Sequence, residues 1–223
     1  MPVWRLWENN VLMSQNAILD PEGVAARIAA QTLAKRGVDY EDEVRRLLDA
    51  ALELMRACGT SSKPRVADIV AAAGLSNDAF YRHFPSKDSL VTAILDDGAA
   101  RLTSYLEHQM AKGSTPTEQV RRWVEGVLAQ ADPEIAATTL AVLWNGSGVG
   151  GGSAAGRHFA SAPLADLLVE PLRDLGASTP EATAGLVAHA VLGTLSDYLW
   201  QQTVPTPAEL TRITTFCVTA ARS

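Results

Sequence analysis

Apolar residues recur along this chain at intervals of three and four, and the runs are cut by glycine and proline. That period predicts helices nearly throughout, with little sign of the alternation a half-buried strand would show. Asp20-Pro21-Glu22 reads as a cap followed by a proline in the first turn, and Gly37 predicts the end of that helix. A second helix is expected from the acidic DYEDEV segment, because negative charge suits a helix N-terminus. Val44, Leu47, Leu48, Ala51, Leu54, Met55 and Cys58 form its apolar stripe, and Gly59 closes it. After the link TSSKP, residues Val66, Ile69, Val70 and Ala73 share a face. A long helix is predicted from Ser86 to Met110, carrying Leu90, Ile94, Leu95, Leu102, Tyr105 and Leu106 at helical spacing. VRRWVEGVLAQA and PEIAATTLAVLW follow as helices parted by Asp132-Pro133, then a Gly/Ser loop over 145–156. Three last helices are expected at 157–175, 179–202 and 206–221. The predicted fold class is all-α.

One stretch departs from simple helix after helix. AAAGLSNDAFYRHFPSKDSL, residues 71–90, breaks a good helix, makes about two turns of another and starts again. Gly74 can take the left-handed conformation that ends one helix and redirects the chain. Leu75 is an apolar plug, and Ser76 is a good N-cap for the next helix. Phe80 and Phe84, four apart, face inward, while Asn77, Asp78, Tyr81, Arg82 and His83 share the other face. Helix, tight turn and short helix outline a helix-turn-helix. Its polar face suits a major groove, where polar tips read base edges and cations reach phosphates. Pro85 stops the short helix, Ser86 can cap a new one, and Lys87 in the first turn is placed as a phosphate clamp. Lys63 and Arg65 flank the first of the two helices and could touch the same backbone.

Charge tempers that picture. The 223-residue chain carries a net charge of -6 with a pI of about 5.2, so it has no uniformly basic coat. Between residues 61 and 90, Lys63, Arg65, Arg82 and Lys87 outnumber Asp68, Asp78 and Asp88 by one. So small an excess implies modest affinity per protomer and a need for dimerisation. Cys58 and Cys217 show no zinc spacing and read as small core residues in a reducing cytoplasm. No apolar run approaches a membrane span. Met13 is a plausible start in its own right, so residues 1–12 are either an upstream extension or a tail carrying Trp4 and Trp7.

At Ile69-Val70, Ala73-Gly74-Leu75-Ser76, Phe80-Tyr81, His83-Phe84, Lys87 and Leu90 the chain resembles the tetracycline-repressor (TetR) family of transcriptional regulators. The resemblance covers about 50 residues from near Tyr40; beyond it only the helical layout is similar. It implies a helical dimer that binds a palindromic operator and is released by a small molecule, with no cofactor or metal. Ser76, Asn77, Asp78, Ala79, Tyr81, Arg82 and His83 would then lie in the recognition helix, and Lys87 on a phosphate. The implied domains are an N-terminal extension over 1–39, a DNA-binding domain over 40–88 and a ligand-binding and dimerisation domain over 89–223. Three positions depart from the family pattern. Val70 replaces a common alanine, and Arg65 stands where serine or threonine caps the first helix. Asp78 is an acid facing a polyanion: it accepts from cytosine N4, or it restrains Arg82. The long N-terminal extension either reaches DNA or packs on the body.

In the C-terminal part, Ala184, Gly185, Ala188 and Gly193 allow close helix approach, and the resemblance implies that the 179–202 and 206–221 helices form a four-helix dimer interface; a buried core helix in a monomer is the alternative. Candidates for an apolar or aromatic effector site are Tyr105, His108, Trp123, Trp144, Phe159 and His189. GSGVGG at 146–151, with Glu170 about twenty residues on, matches a dinucleotide fingerprint and raises a nicotinamide-dependent oxidoreductase as the enzyme alternative. That fingerprint needs a βαβ unit, which the helical pattern does not supply. Nucleophilic catalysis has no elbow motif or triad to stand on. A transcriptional activator and a ligand-binding dimer without DNA recognition remain the other non-enzyme readings.

Overall fold

The computed structural model describes residues 21–146 and 153–222, with side chains over 39–146 and 161–222. Trp4, Trp7, Met13, the body of the GSGVGG loop and the Phe159 side chain lie outside the described residues. The described residues form helices and turns, with no strand among them. In chain order they are α1 (Pro21–Cys58), α2 (Val66–Ala73), α3 (Asn77–His83), α4 (Lys87–Met110) and α5 (Pro116–Leu128). After a 3-10 turn at Ala129–Ala131 come α6 (Pro133–Gly146), α7 (Ser153–Asp174), α8 (Pro180–Gln201) and α9 (Pro207–Ala220). Contacts divide the chain into two units, Met1–Arg46 and Leu47–Ser223.

The expected stop at Gly37 is not used, since α1 runs through it as one helix. A glycine inside a helix costs only about 1 kcal/mol relative to alanine and ends it only where the chain turns left-handed. Gly59 does turn, with φ 55°, and its N–H donates to the Met55 carbonyl at 2.9 Å.

Two apolar sets fill the second unit. The first buries Leu47, Ala51 and Met55 at the end of α1, Ile69, Val70 and Ala73 on α2, and Phe80, Phe84, Leu90 and Val91. The second joins α5 (Val120, Trp123, Val127), α7 (Leu164, Leu168, Leu172), α8 (Val187, Val191) and Cys217 of α9. Trp123 is fully buried at its centre, and its indole N–H donates to the Leu164 carbonyl at 2.9 Å, so its one polar atom is satisfied. Pro163 and Pro171 both lie within α7, which continues past them to Asp174. Ala184 and Ala188 belong to this core, whereas Gly185 and Gly193 have nothing within 4 Å of an added Cβ. The small residues of α8 thus serve two faces: the alanines point inward and the glycines outward.

Helix starts explain why these segments begin where they do. The sequences TPTE and TPAE build the same device. Thr115 and Thr206 accept from the N–H of Glu118 and Glu209 at 3.2 and 3.3 Å, with proline in the first turn. Each glutamate reaches back, Glu118 to the Ser114 N–H and Glu209 to the Thr206 N–H, both at 2.8 Å. At Thr179-Pro180-Glu181 the acid comes one residue too early for this. Thr179 makes no side-chain cap, and Glu181 instead pairs with Arg173 at 2.9 Å.

Candidate nucleic-acid interface

The corner between α2 and α3 is built from backbone outward. Gly74 has φ 63° and ψ 38°, the left-handed conformation in which a Cβ is costly. Its N–H donates to Ala71 O at 3.2 Å, and the Leu75 N–H donates to Val70 O at 2.9 Å. This paired closure ends α2 and fixes the direction of α3. Ser76 then caps α3, its Oγ accepting the Ala79 N–H at 3.1 Å. The Phe80 and Phe84 rings, 5.9 Å apart, anchor the underside of α3.

At the other end of α2, the residue replacing the usual cap is answered from within the helix. Arg65 offers no acceptor, but the Asp68 carboxylate accepts its backbone N–H at 3.0 Å and its Nε–H at 3.3 Å. These bonds, the backbone one foremost, hold Asp68 below the usual carboxylate range. The Arg65 side chain still lies largely in solvent.

The outward face of α3 presents Asn77, Asp78, Tyr81 and Arg82, all exposed, with His83 half-buried beside them. Tyr81 stands edge-on to Phe80 at 5.2 Å and is 58% exposed, so a buried ring supports a protruding hydroxyl. Ala79 corrects the expected surface. It is 4% exposed, because it sits beside Phe80 on the side of α3 turned into the head. Lys63, Arg65 and Ser76 are exposed as expected.

Lys87, the expected phosphate clamp, is half-buried and has partners within the chain. Its ammonium donates to the Pro64 carbonyl at 3.1 Å and to Asn145 Oδ1 at 3.5 Å. Burial first, and the neighbouring Lys63 second, push Lys87 below its ordinary range. Lys63 itself lies 5.6 Å from the ring centre of Trp144, a cation over an aromatic face. Sequence reasoning missed Asn145 altogether. An asparagine before a glycine at a helix end reads as a loop residue, and nothing in the sequence marks its side chain as buried.

The candidate effector residues are placed in separate settings. Trp123 is core, and Trp144 lies at the end of α6 beside Lys63. Tyr105 and His108 are exposed on α4. His189 is exposed on α8, its Nδ1 2.8 Å from the Gly185 carbonyl. A groove of about 220 Å³ lies instead between α8 and α9, lined by Ala190, Val191, Thr194, Arg212, Ile213 and Phe216. No group of His, Cys, Asp or Glu among the described residues could hold a metal ion. No helix among them is long and apolar enough to cross a membrane. The segment that would have to be the first strand of a dinucleotide fold is helix α6, which removes the βαβ unit the oxidoreductase reading requires.

Comparison with known proteins bears on this geometry. Residues 47–94, from the end of α1 into α4, match the family of bacterial regulatory proteins, tetR family. No curated protein matches the chain. Solved structures share the fold. Salmonella enterica GusR has 21% identity and a TM-score of 0.60, covering 81% of this chain and 96% of its own. FadR from Bacillus subtilis, in complex with stearoyl-CoA, has 16% identity and a TM-score of 0.56, covering 80% and 97%. A TetR family transcription regulator from Marinobacter aquaeolei VT8 has 17% identity and a TM-score of 0.51, covering 83% and 97%.

Proposed function

We propose that this chain, whose residues 47–94 match the tetR family of bacterial regulatory proteins, is a ligand-responsive transcriptional regulator, a repressor that binds a palindromic operator as a homodimer. The observation that carries the reading is the α2–α3 corner: a left-handed Gly74, a Ser76 cap and an outward row of Asn77, Asp78, Tyr81 and Arg82. Lys63 and Arg65 extend that row toward the phosphates. In a dimer, two such helices enter successive major grooves about one helical turn apart.

The second copy is assigned to the outer face of α8 and α9. Leu186 is 74% exposed and Phe216 55%, with Trp200 exposed on the same pair of helices. Isolated apolar residues on a surface are ordinary, but here Phe216 also lines the groove between α8 and α9, with Val191 and Ile213 beside it. Gly185 and Gly193 add open backbone for close approach. A two-fold pairing of α8 and α9 would cover all of them with one self-complementary contact.

The effector is a small apolar or aromatic molecule. FadR from Bacillus subtilis, with the same fold, holds stearoyl-CoA, which supports a regulatory half able to take ligands with long apolar parts. Activation of transcription is the second reading, since the same geometry serves either outcome at the promoter. A mobility-shift assay on DNA flanking the protein's own coding sequence, at low and moderate salt, tests the proposal. A sequence-specific, salt-sensitive shift is expected. Absence of any duplex binding, there or in selection from random sequence, would overturn it.

A further inference from the structure

The Lys87 contacts join the DNA-reading head to a helix of the regulatory half. Lys87 opens α4 directly after the recognition helix, whereas Asn145 lies in the last turn of α6. Asn145 is 1% exposed, and its amide has a fixed orientation. Nδ2–H donates to the Ala141 carbonyl at 2.9 Å, which leaves Oδ1 turned to the Lys87 ammonium. The end of α6 is also packed on α4: a Cβ at Gly146 would meet Val91 Cγ1 at 3.4 Å and Leu95 Cδ1 at 3.7 Å. The last turn of α6 has no basic residue of its own, so Lys63 and Lys87 bring cations to its negative end.

Resting on the DNA-binding reading above, we propose that Asn145 is a positioning residue for DNA contact: with the Pro64 carbonyl it holds the Lys87 ammonium inside the chain, in competition with a backbone phosphate. An ammonium has three protons, and this seat engages two, one of them at the long distance of 3.5 Å. The hold is therefore weak enough to be exchanged. A phosphate oxygen offers a full negative charge where the seat offers two neutral acceptors, so the exchange is favourable at close range. Because Asn145 is carried by α6, any shift of α6 along α4 changes how firmly Lys87 is kept from DNA.

The test is binding of the full-length protein to a fluorescent mixed-sequence duplex at low salt, where phosphate contacts dominate. Asn145→Ala is expected to tighten binding about threefold, the worth of one weak hydrogen bond. Asn145→Asp, which gives the seat a charge, is expected to weaken it. Both effects should shrink toward nothing when Lys87→Met is present, and Lys87→Met alone should lower the salt slope by about one contact. Asn145→Leu keeps the side-chain volume should alanine loosen the end of α6. Asn145 variants that leave binding unchanged, or change it equally without Lys87, overturn the inference while the regulator reading stands. No salt-dependent duplex binding by the wild type overturns both.

Discussion

Gly126 on α5 faces Leu106 on α4 so closely that a Cβ at Gly126 would lie 2.5 Å from Leu106 Cδ2 and 3.3 Å from Tyr105 Cε1. Leu106 is fully buried, so its side chain must shift within the core to make room. Gly126→Val is therefore expected to cost about 2–3 kcal/mol through overpacking, more than the helix propensity it gains. Urea unfolding would register the change as a lower midpoint at constant slope. A variant as stable as the parent would mean that α4 and α5 can part more easily than their packing indicates.

Tyr81 bears on function more than on stability. Tyr81→Ala removes an exposed hydroxyl and an edge contact with Phe80. Its stability cost should stay near 1 kcal/mol, while duplex affinity falls about tenfold. Anisotropy titrations alongside thermal melts separate the two. Equal affinity would move the reading surface off α3.

The outer face of α8 and α9 can be tested without touching the core. Leu186→Glu places a charge where the isolated chain is open to water, so the monomer should lose no more than about 0.5 kcal/mol. Sedimentation should show the wild type at twice the mass of the variant. A wild type that sediments as a single chain would remove this surface as an interface.

Gln202 ends α8 in the left-handed region at φ 54°, where its N–H donates to Leu199 O at 3.2 Å and the Thr203 N–H to Tyr198 O at 3.0 Å. The geometry is a glycine cap made by a residue with a Cβ. Gln202→Gly is expected to stabilise the protein by about 0.5–1 kcal/mol, read as a rise in melting temperature. A fall would show that the Gln202 side chain contributes more than its backbone costs.

Acid sensitivity follows from the helix caps. Asp68, Glu118 and Glu209 are held below their ordinary values of 3.8, 4.5 and 4.5. The first cause in each case is a backbone N–H, from Arg65, Ser114 and Thr206 respectively. A carboxyl depressed by folding lends its stability in full above its unfolded value and loses it as pH falls through the folded one. The melting temperature should thus be insensitive to these groups down to about pH 5 and decline below about pH 4. Glu118→Gln with Glu209→Gln should flatten that decline. An unchanged acid limb would assign it to other groups.

Much of this was legible in the chain because the corner is made by local chemistry. Gly74, Ser76 and Pro85 each act on their own neighbours, and all three do what their residue types dictate. The apolar period placed α4, α6, α8 and α9 to within two residues at either end for the same reason, whereas α5 and α7 begin four residues ahead of expectation, at Pro116 and Ser153. What stayed hidden depends on through-space partners. Gly37 looks like Gly59 in sequence, yet only Gly59 is followed by a chain that turns. Ala79 and Tyr81 are two apart on one short helix, and which of them faces inward depends on how α3 seats on α2. Lys87 finds its acceptor 58 residues away on another helix, a pairing that no local pattern encodes. The aromatic residues proposed for an effector share a chemistry but not a location, because a large apolar side chain serves a core as well as a pocket.

The setting of Trp123 gives the regulatory half an optical signal of its own. An indole sealed from water and bonded to a carbonyl emits to the blue and resists aqueous quenchers, whereas Trp144 and Trp200 stand partly in solvent. Among the tryptophans of the described residues, emission that quenchers cannot reach therefore comes from the packing between α5 and α7. A compound or mutation that loosens those two helices would redden that fraction of the light before the chain as a whole unfolds, so the protein can be watched from its centre without a label.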